Sequence, residues 1–135
     1  MKKWIVFPCC LALLSCFLNP TVAYVPNRTV DPAQIIERTM TSQPPEVAGA
    51  VPYKVSVNSD SIKMWMPGQG DGGGGSGGNF GEIYYREIGK VVLKHTDIWY
   101  VQILDYSGVE MYNVFATKES DAKQFIDALF TVMGR

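Results

Sequence analysis

The chain has 135 residues, with 12 basic and 13 acidic side chains, one histidine and three cysteines. That length supports one hydrophobic core and not two. A near-neutral charge without a basic run lacks the electrostatic footprint of a nucleic-acid binder, so no nucleic-acid partner is expected.

Residues 1–23 have the order of properties of a bacterial export signal. Lys2 and Lys3 give a positive start, and Trp4 to Leu18 is an uncharged run of fifteen residues. A membrane-spanning helix needs roughly 20. Asn19-Pro20 ends the run, and Thr21-Val22-Ala23 offers the small residues that a signal peptidase reads. A cut after Ala23 is the preferred reading. The alternative is a cut before Cys16, because Leu13-Leu14-Ser15-Cys16 resembles the lipobox of bacterial lipoproteins, with Leu14 where a smaller residue is usual. Cys16 would then carry lipid, and only in that case is a membrane contact expected. Either site implies the periplasm, the cell envelope or secretion. Cys9, Cys10 and Cys16 all lie in the signal, so no disulfide, Cys-ligated metal or thiol nucleophile is expected in the domain that follows. Loss of Lys2 and Lys3 brings the net charge to about −3.

After the signal, residues 24–30 read as a tether, and 31–135 as a single domain. Asp31-Pro32 predicts a helix start, with Asp31 as side-chain cap and Pro32 at the first helical position. Ile35, Ile36 and Met40 give this short helix one apolar stripe, and Pro44-Pro45 stops it. From Tyr53 the period becomes that of strands. Val55 and Val57, then Ile62, Met64 and Met66, alternate with polar neighbours across an Asn58-Ser59-Asp60 turn.

Gly68–Gly78 holds eight of the thirteen glycines and reads as a flexible solvated loop. Gly68-Gln69-Gly70-Asp71-Gly72-Gly73 satisfies the GxGxxG pattern of dinucleotide sites. A phosphate cradle needs a helix directly after the glycines, and here a strand-like segment follows instead. No cofactor is expected. Four strands are predicted next, at Phe80–Ile88, Lys90–His95, Ile98–Asp105 and Glu110–Ala116, with Gly89 as the first break. Trp99, Val101 and Ile103 face one side, and Tyr100, Gln102 and Leu104 the other. The last element is an amphipathic helix with Thr117 as N-cap and Gly134 as stop. Its stripe is Ala122, Phe125, Ile126, Leu129, Val132 and Met133, and Lys123 and Asp127 are expected on the wet side.

The expected fold class is α+β: about six antiparallel strands in a curled meander, capped by the C-terminal helix, with a short helix in front. The run Ile98–Asp105, Val109–Phe115 and Asp121-Ala122-Lys123-Gln124-Phe125-Ile126-Asp127-Ala128-Leu129 resembles the pleckstrin-homology-like superfold. There, bent antiparallel strands form a partly open barrel closed by one helix. The resemblance covers roughly residues 53–133. The basic phosphoinositide loop of that superfold is here only Asn58-Ser59-Asp60, so its ligand is not carried over.

Catalytic groups with an identifiable pattern are lacking, and no metal-ligand set is read. His95 is the single histidine, in a predicted turn with Lys94 and Asp97. It reads as solvated, and a small enzyme built on it and nearby carboxylates is the alternative. Glu82 and Glu87 lie an odd number apart on one strand and so do not form a pair. Trp65, Tyr84, Tyr100 and Tyr112 are predicted to share the outer sheet surface, a row of rings suited to an interaction surface. The expected function is a non-catalytic binding or scaffolding module with a protein or small-molecule partner in the envelope. A secreted effector or inhibitor of another protein is a further alternative.

Overall fold

The computed structural model describes residues 20–68 and 79–135. In chain order the elements are β1 (Thr21–Val22), α1 (Pro32–Thr41), α2 (Pro45–Ala48), β2 (Lys54–Val57), β3 (Ser61–Trp65), β4 (Phe80–Tyr84), a 3-10 turn at Tyr85–Glu87, β5 (Ile88–His95), β6 (Trp99–Asp105), β7 (Glu110–Ala116) and α3 (Glu119–Met133). The fold class is α+β. Instead of one continuous meander, the strands form two antiparallel sheets, ordered β2-β3-β4 and β1-β5-β6-β7, which do not close into a barrel.

The division falls where one long strand, Phe80–Ile88, was expected. The 3-10 turn interrupts it, because Tyr85 turns inward: its N–H donates to the Asp60 carbonyl and its hydroxyl to the Asn58 carbonyl, at 3.0 and 2.9 Å. Burial pushes the Tyr85 hydroxyl up to about 12. Gly89, expected as a break, lies inside β5 at a bulge, where the pairing with β6 shifts between Ile88 and Lys90.

Both sheets turn their apolar faces to one core. Val55, Ile62, Met64 and Ile83 come from the smaller sheet, and Leu93, Val101, Ile103, Val114 and Ala116 from the larger. α1 supplies Ile36 and Met40, and α3 supplies Ala122, Phe125, Ile126, Ala128 and Leu129. α3 lies against β5, β6 and β7, while α1 packs on both α3 and β2. The stripes expected on both helices are thus the buried ones, with Ile35, Val132 and Met133 at their margins.

The helix ends differ from expectation. Asp31 makes no side-chain cap bond; it sits at φ 52°, in the left-handed region, and its carbonyl accepts from Ile35 N–H. Asp is among the few residues that tolerate this conformation. The residue preceding α3 is Lys118 rather than Thr117, again without a side-chain cap. Gly134 does end α3, at φ 69°. α2 is an extra turn started by Pro45.

Residues 24–30 are held along α3 and do not hang free. The Tyr24 hydroxyl and the Asn27 N–H both donate to Asp127 Oδ1 at 2.8 Å, and the Thr29 N–H donates to Thr131 Oγ1 at 3.2 Å. Asp127, expected on the wet side, is therefore an anchor. Partial burial, with the Asp127 carboxylate beside it, raises the Tyr24 pKa.

Gln43 joins the end of α1 to β7. Its side chain is only 3% exposed. The amide nitrogen donates to the Met40 carbonyl and the Tyr112 hydroxyl, and the amide oxygen accepts the Phe115 N–H at 2.9 Å. Gln43→Leu keeps the bulk and strands these backbone groups. It is expected to cost about 1–3 kcal/mol in urea unfolding, the penalty for buried polar groups left unpaired. A change under about 0.5 kcal/mol, the range of ordinary surface substitutions, would show that the connection is incidental.

Candidate functional site

The four aromatics expected in one row occupy three places. Trp65 and Tyr84 share the outer face of the smaller sheet. Their register partners are Phe80 and Ser61, so they stand at opposite ends of β3 and β4. Tyr100 lies on the outer face of the larger sheet, paired with Phe115 at 5.4 Å between ring centroids. Tyr112 points the other way: it pairs with buried Ile103, packs at the core margin and accepts a hydrogen bond from Gln43. Its parity with Val114 and Ala116 was the signal in the sequence that it faces inward.

On the smaller sheet, strand alternation places Lys54, Trp65 and Phe80 side by side. Lys54 pairs with Trp65 across β2–β3, and Trp65 with Phe80 across β3–β4. The two rings meet edge to face at 5.5 Å, and the Lys54 ammonium sits 4.7 Å from the Trp65 ring centroid. Both geometries suit the negative faces and positive edges of aromatic rings. Phe80 remains 53% exposed, and neighbouring Tyr53 63%. Sequence reasoning found Trp65 and missed Lys54, Tyr53 and Phe80. The period-two parity of Phe80 with Glu82 and Tyr84 was the available clue.

The other end of this face is a polar network. The hydroxyls of Ser61 and Tyr84 donate to the two oxygens of Glu82 at 2.7 and 2.9 Å, and Lys63 Nζ lies 3.9 Å from the same carboxylate. The Ser61 bond is the main cause holding the Glu82 carboxyl below its usual range, and the carboxylate in turn raises the Tyr84 pKa. Ser61 is fully buried, and its hydroxyl reaches Glu82 Oε1 at 2.7 Å and Asp60 Oδ1 at 3.3 Å. The network ties β3 to β4, with the Lys63 side chain 41% exposed at its edge. Glu87 is apart from it, in the 3-10 turn.

His95 is exposed at the end of β5, with its ring stacked on Trp99 at 4.0 Å and 14°. Among the described residues no hydrogen bond or ion pair joins the ring to a carboxylate or hydroxyl. Asp105 lies at the other end of the β5–β6 pair, opposite Ile88, where it accepts the N–H groups of Ser107 and Val109 and shapes their turn. Neither do the described residues contain three His, Cys, Asp or Glu side chains grouped to hold a metal ion.

The concavities are small or open. One of about 170 Å³ lies between α1, β7 and the start of α3, beside Arg38, Thr39 and Asp121. Another, of about 330 Å³, runs between α2, Met66 and β7, where Asn113 Oδ1 is buried without a partner. Cys16 and residues 69–78, including all of the GxGxxG match after Gly68, lie outside the described residues.

No family model, curated protein or solved structure matches this chain. Among the described residues no helix is long and apolar enough to cross a membrane.

Proposed function

We propose that this chain is a non-catalytic binding or scaffolding module of the bacterial cell envelope, exported by its N-terminal signal. In this reading its layout is an open variant of the pleckstrin-homology-like arrangement, with the C-terminal helix laid against the larger of two antiparallel sheets instead of plugging a closed barrel. Membrane contact comes only from a lipid on Cys16.

The observation that carries the binding reading is the Trp65–Phe80 pair, with the Lys54 ammonium over the Trp65 ring and Phe80 largely exposed. Large rings held at fixed geometry on a sheet give contact area at little entropic cost, and a cation over one ring face adds selectivity for polar or acidic groups of a partner. By contrast, among the described residues the exposed ring of His95 stacks on Trp99 and meets no carboxylate, which does not favour acid–base chemistry.

Affinity capture from intact envelopes, with the exported domain as bait, tests this directly. Trp65→Ala and Phe80→Ala should each weaken capture of the bound species by roughly 30-fold, the loss that follows truncation of a hot-spot aromatic. Lys94→Ala, on the larger sheet, should leave it unchanged. Equal capture by all variants, with folding verified by urea unfolding, would remove the smaller sheet from the proposal.

A further inference from the structure

The two export sites read from the sequence differ in what they leave behind, and the fold distinguishes them. Residues 20–23 are built into the larger sheet. Thr21 and Val22 form β1, antiparallel to β5 with Thr21 opposite Lys94 and Val22 opposite Leu93. The Pro20 carbonyl extends the pairing by accepting the His95 N–H at 2.9 Å. Val22 packs on the margin of the core, and the chain continues into Tyr24, whose hydroxyl is fixed to Asp127 on α3. A cut after Ala23 would remove the whole of β1. It would also uncover the edge of β5 at Leu93, Lys94 and His95, and bare strand edges are sites of uncontrolled pairing. The new charged amino terminus would sit directly on Tyr24, whose ring already has the Lys123 ammonium 5.3 Å from its centroid.

We infer that Pro20–Ala23 belong to the mature folded domain, so that the export cut falls upstream of Pro20 and not after Ala23. This rests on the export reading above. Thr21-Val22-Ala23 then owes its small and β-branched composition to strand pairing with β5, not to recognition by a peptidase. Of the two sites in the sequence, the one before Cys16 meets the condition, since it leaves Cys16 to Asn19 ahead of β1.

The test uses the full-length chain produced in a bacterial host with intact export machinery. The N-terminal peptide of the exported form should begin at or before Pro20 by mass spectrometry, an acylated Cys16 being one such result. Ala23→Arg should be processed at the same place and to the same extent. Ala23 is exposed, so the sheet accommodates the change, whereas a peptidase that cuts after residue 23 requires a small side chain there. In the exported material the His95 amide should exchange at least about tenfold slower than an unstructured amide, because Pro20 accepts its proton. A mature chain starting at Tyr24, precursor accumulation caused by Ala23→Arg, or unprotected exchange at His95 would each overturn the inference while leaving export intact. An uncut chain retained in the cytoplasm would overturn it together with the export reading.

Discussion

Truncating Phe125 to Ala should lower the unfolding free energy by roughly 3–5 kcal/mol, and Leu129→Ala by roughly 2–5 kcal/mol. Both side chains are 0% exposed. They lie one turn apart on the face of α3 that packs against the larger sheet and α1. The cost combines lost transfer energy with the cavity left behind, since rigid strands on one side and α1 on the other limit collapse. Such a loss is a large share of the 5–15 kcal/mol that holds a typical domain. All three cysteines lie in residues 1–16, so no disulfide within the described fold compensates. Lys123→Ala should stay within about 0.5 kcal/mol: its partner Glu119 is one turn away on the helix surface, and exposed pairs contribute little. Asp127→Ala should fall between, at about 1–2 kcal/mol, because it frees the Tyr24 hydroxyl and the Asn27 N–H. Urea unfolding of the four variants gives the ranking. Equal small effects at all four positions would mean that α3 is not part of the core.

That helix was readable from sequence because its signal is local: apolar residues three and four apart state which face is buried. The alternation in β6 was readable for the same reason, and Val101 and Ile103 are fully buried as their parity requires. What could not be read was set by partners distant in sequence. β1 exists because Leu93 and Lys94 offer an edge some seventy residues later. In the sequence, the same three residues look like the end of an export signal. Asp127 looked like a surface acid because its partners, Tyr24 and Asn27, are about a hundred residues away. For the candidate site, Trp65 was visible as a large ring on a strand. Its setting depended on pairing across the glycine-rich segment: the Met66 N–H donates to the Asn79 carbonyl, bringing Phe80 opposite Trp65. A hairpin that closes across so long a connection leaves no short-range register signal.

Gly89 shows how one residue type can be read in two ways, and it yields the sharpest prediction for the larger sheet. In sequence it looked like a break between strands, the usual meaning of an isolated glycine amid alternating residues. In the fold it sits at the bulge where β5 pairs closely with the end of β6. A Cβ at position 89 would lie 2.6 Å from the backbone carbon and oxygen of Asp105 and from Tyr106 Cα. No rotamer relieves that contact, because the obstructing atoms are main chain. The main chain at Asp105 is itself fixed, since its carboxylate holds the turn through the Ser107 and Val109 N–H groups and its own N–H donates to the Val109 carbonyl. Gly89→Ala must therefore spread the two strands at the bulge, and the expected cost is about 3 kcal/mol, the upper end for overpacked sites. Gly81→Ala makes the comparison fair. There the added Cβ meets Met64 Cγ at 3.1 Å, and a methionine side chain can shift, so the change should cost under about 1 kcal/mol. Chemical denaturation of the two variants, with amide exchange along β5 and β6, separates the cases: Gly89→Ala should lose protection around Ile88 and Asp105 while Gly81→Ala leaves it in place. If Gly89→Ala unfolds within about 0.5 kcal/mol of the parent chain, the close approach of β5 to the end of β6 is wrong.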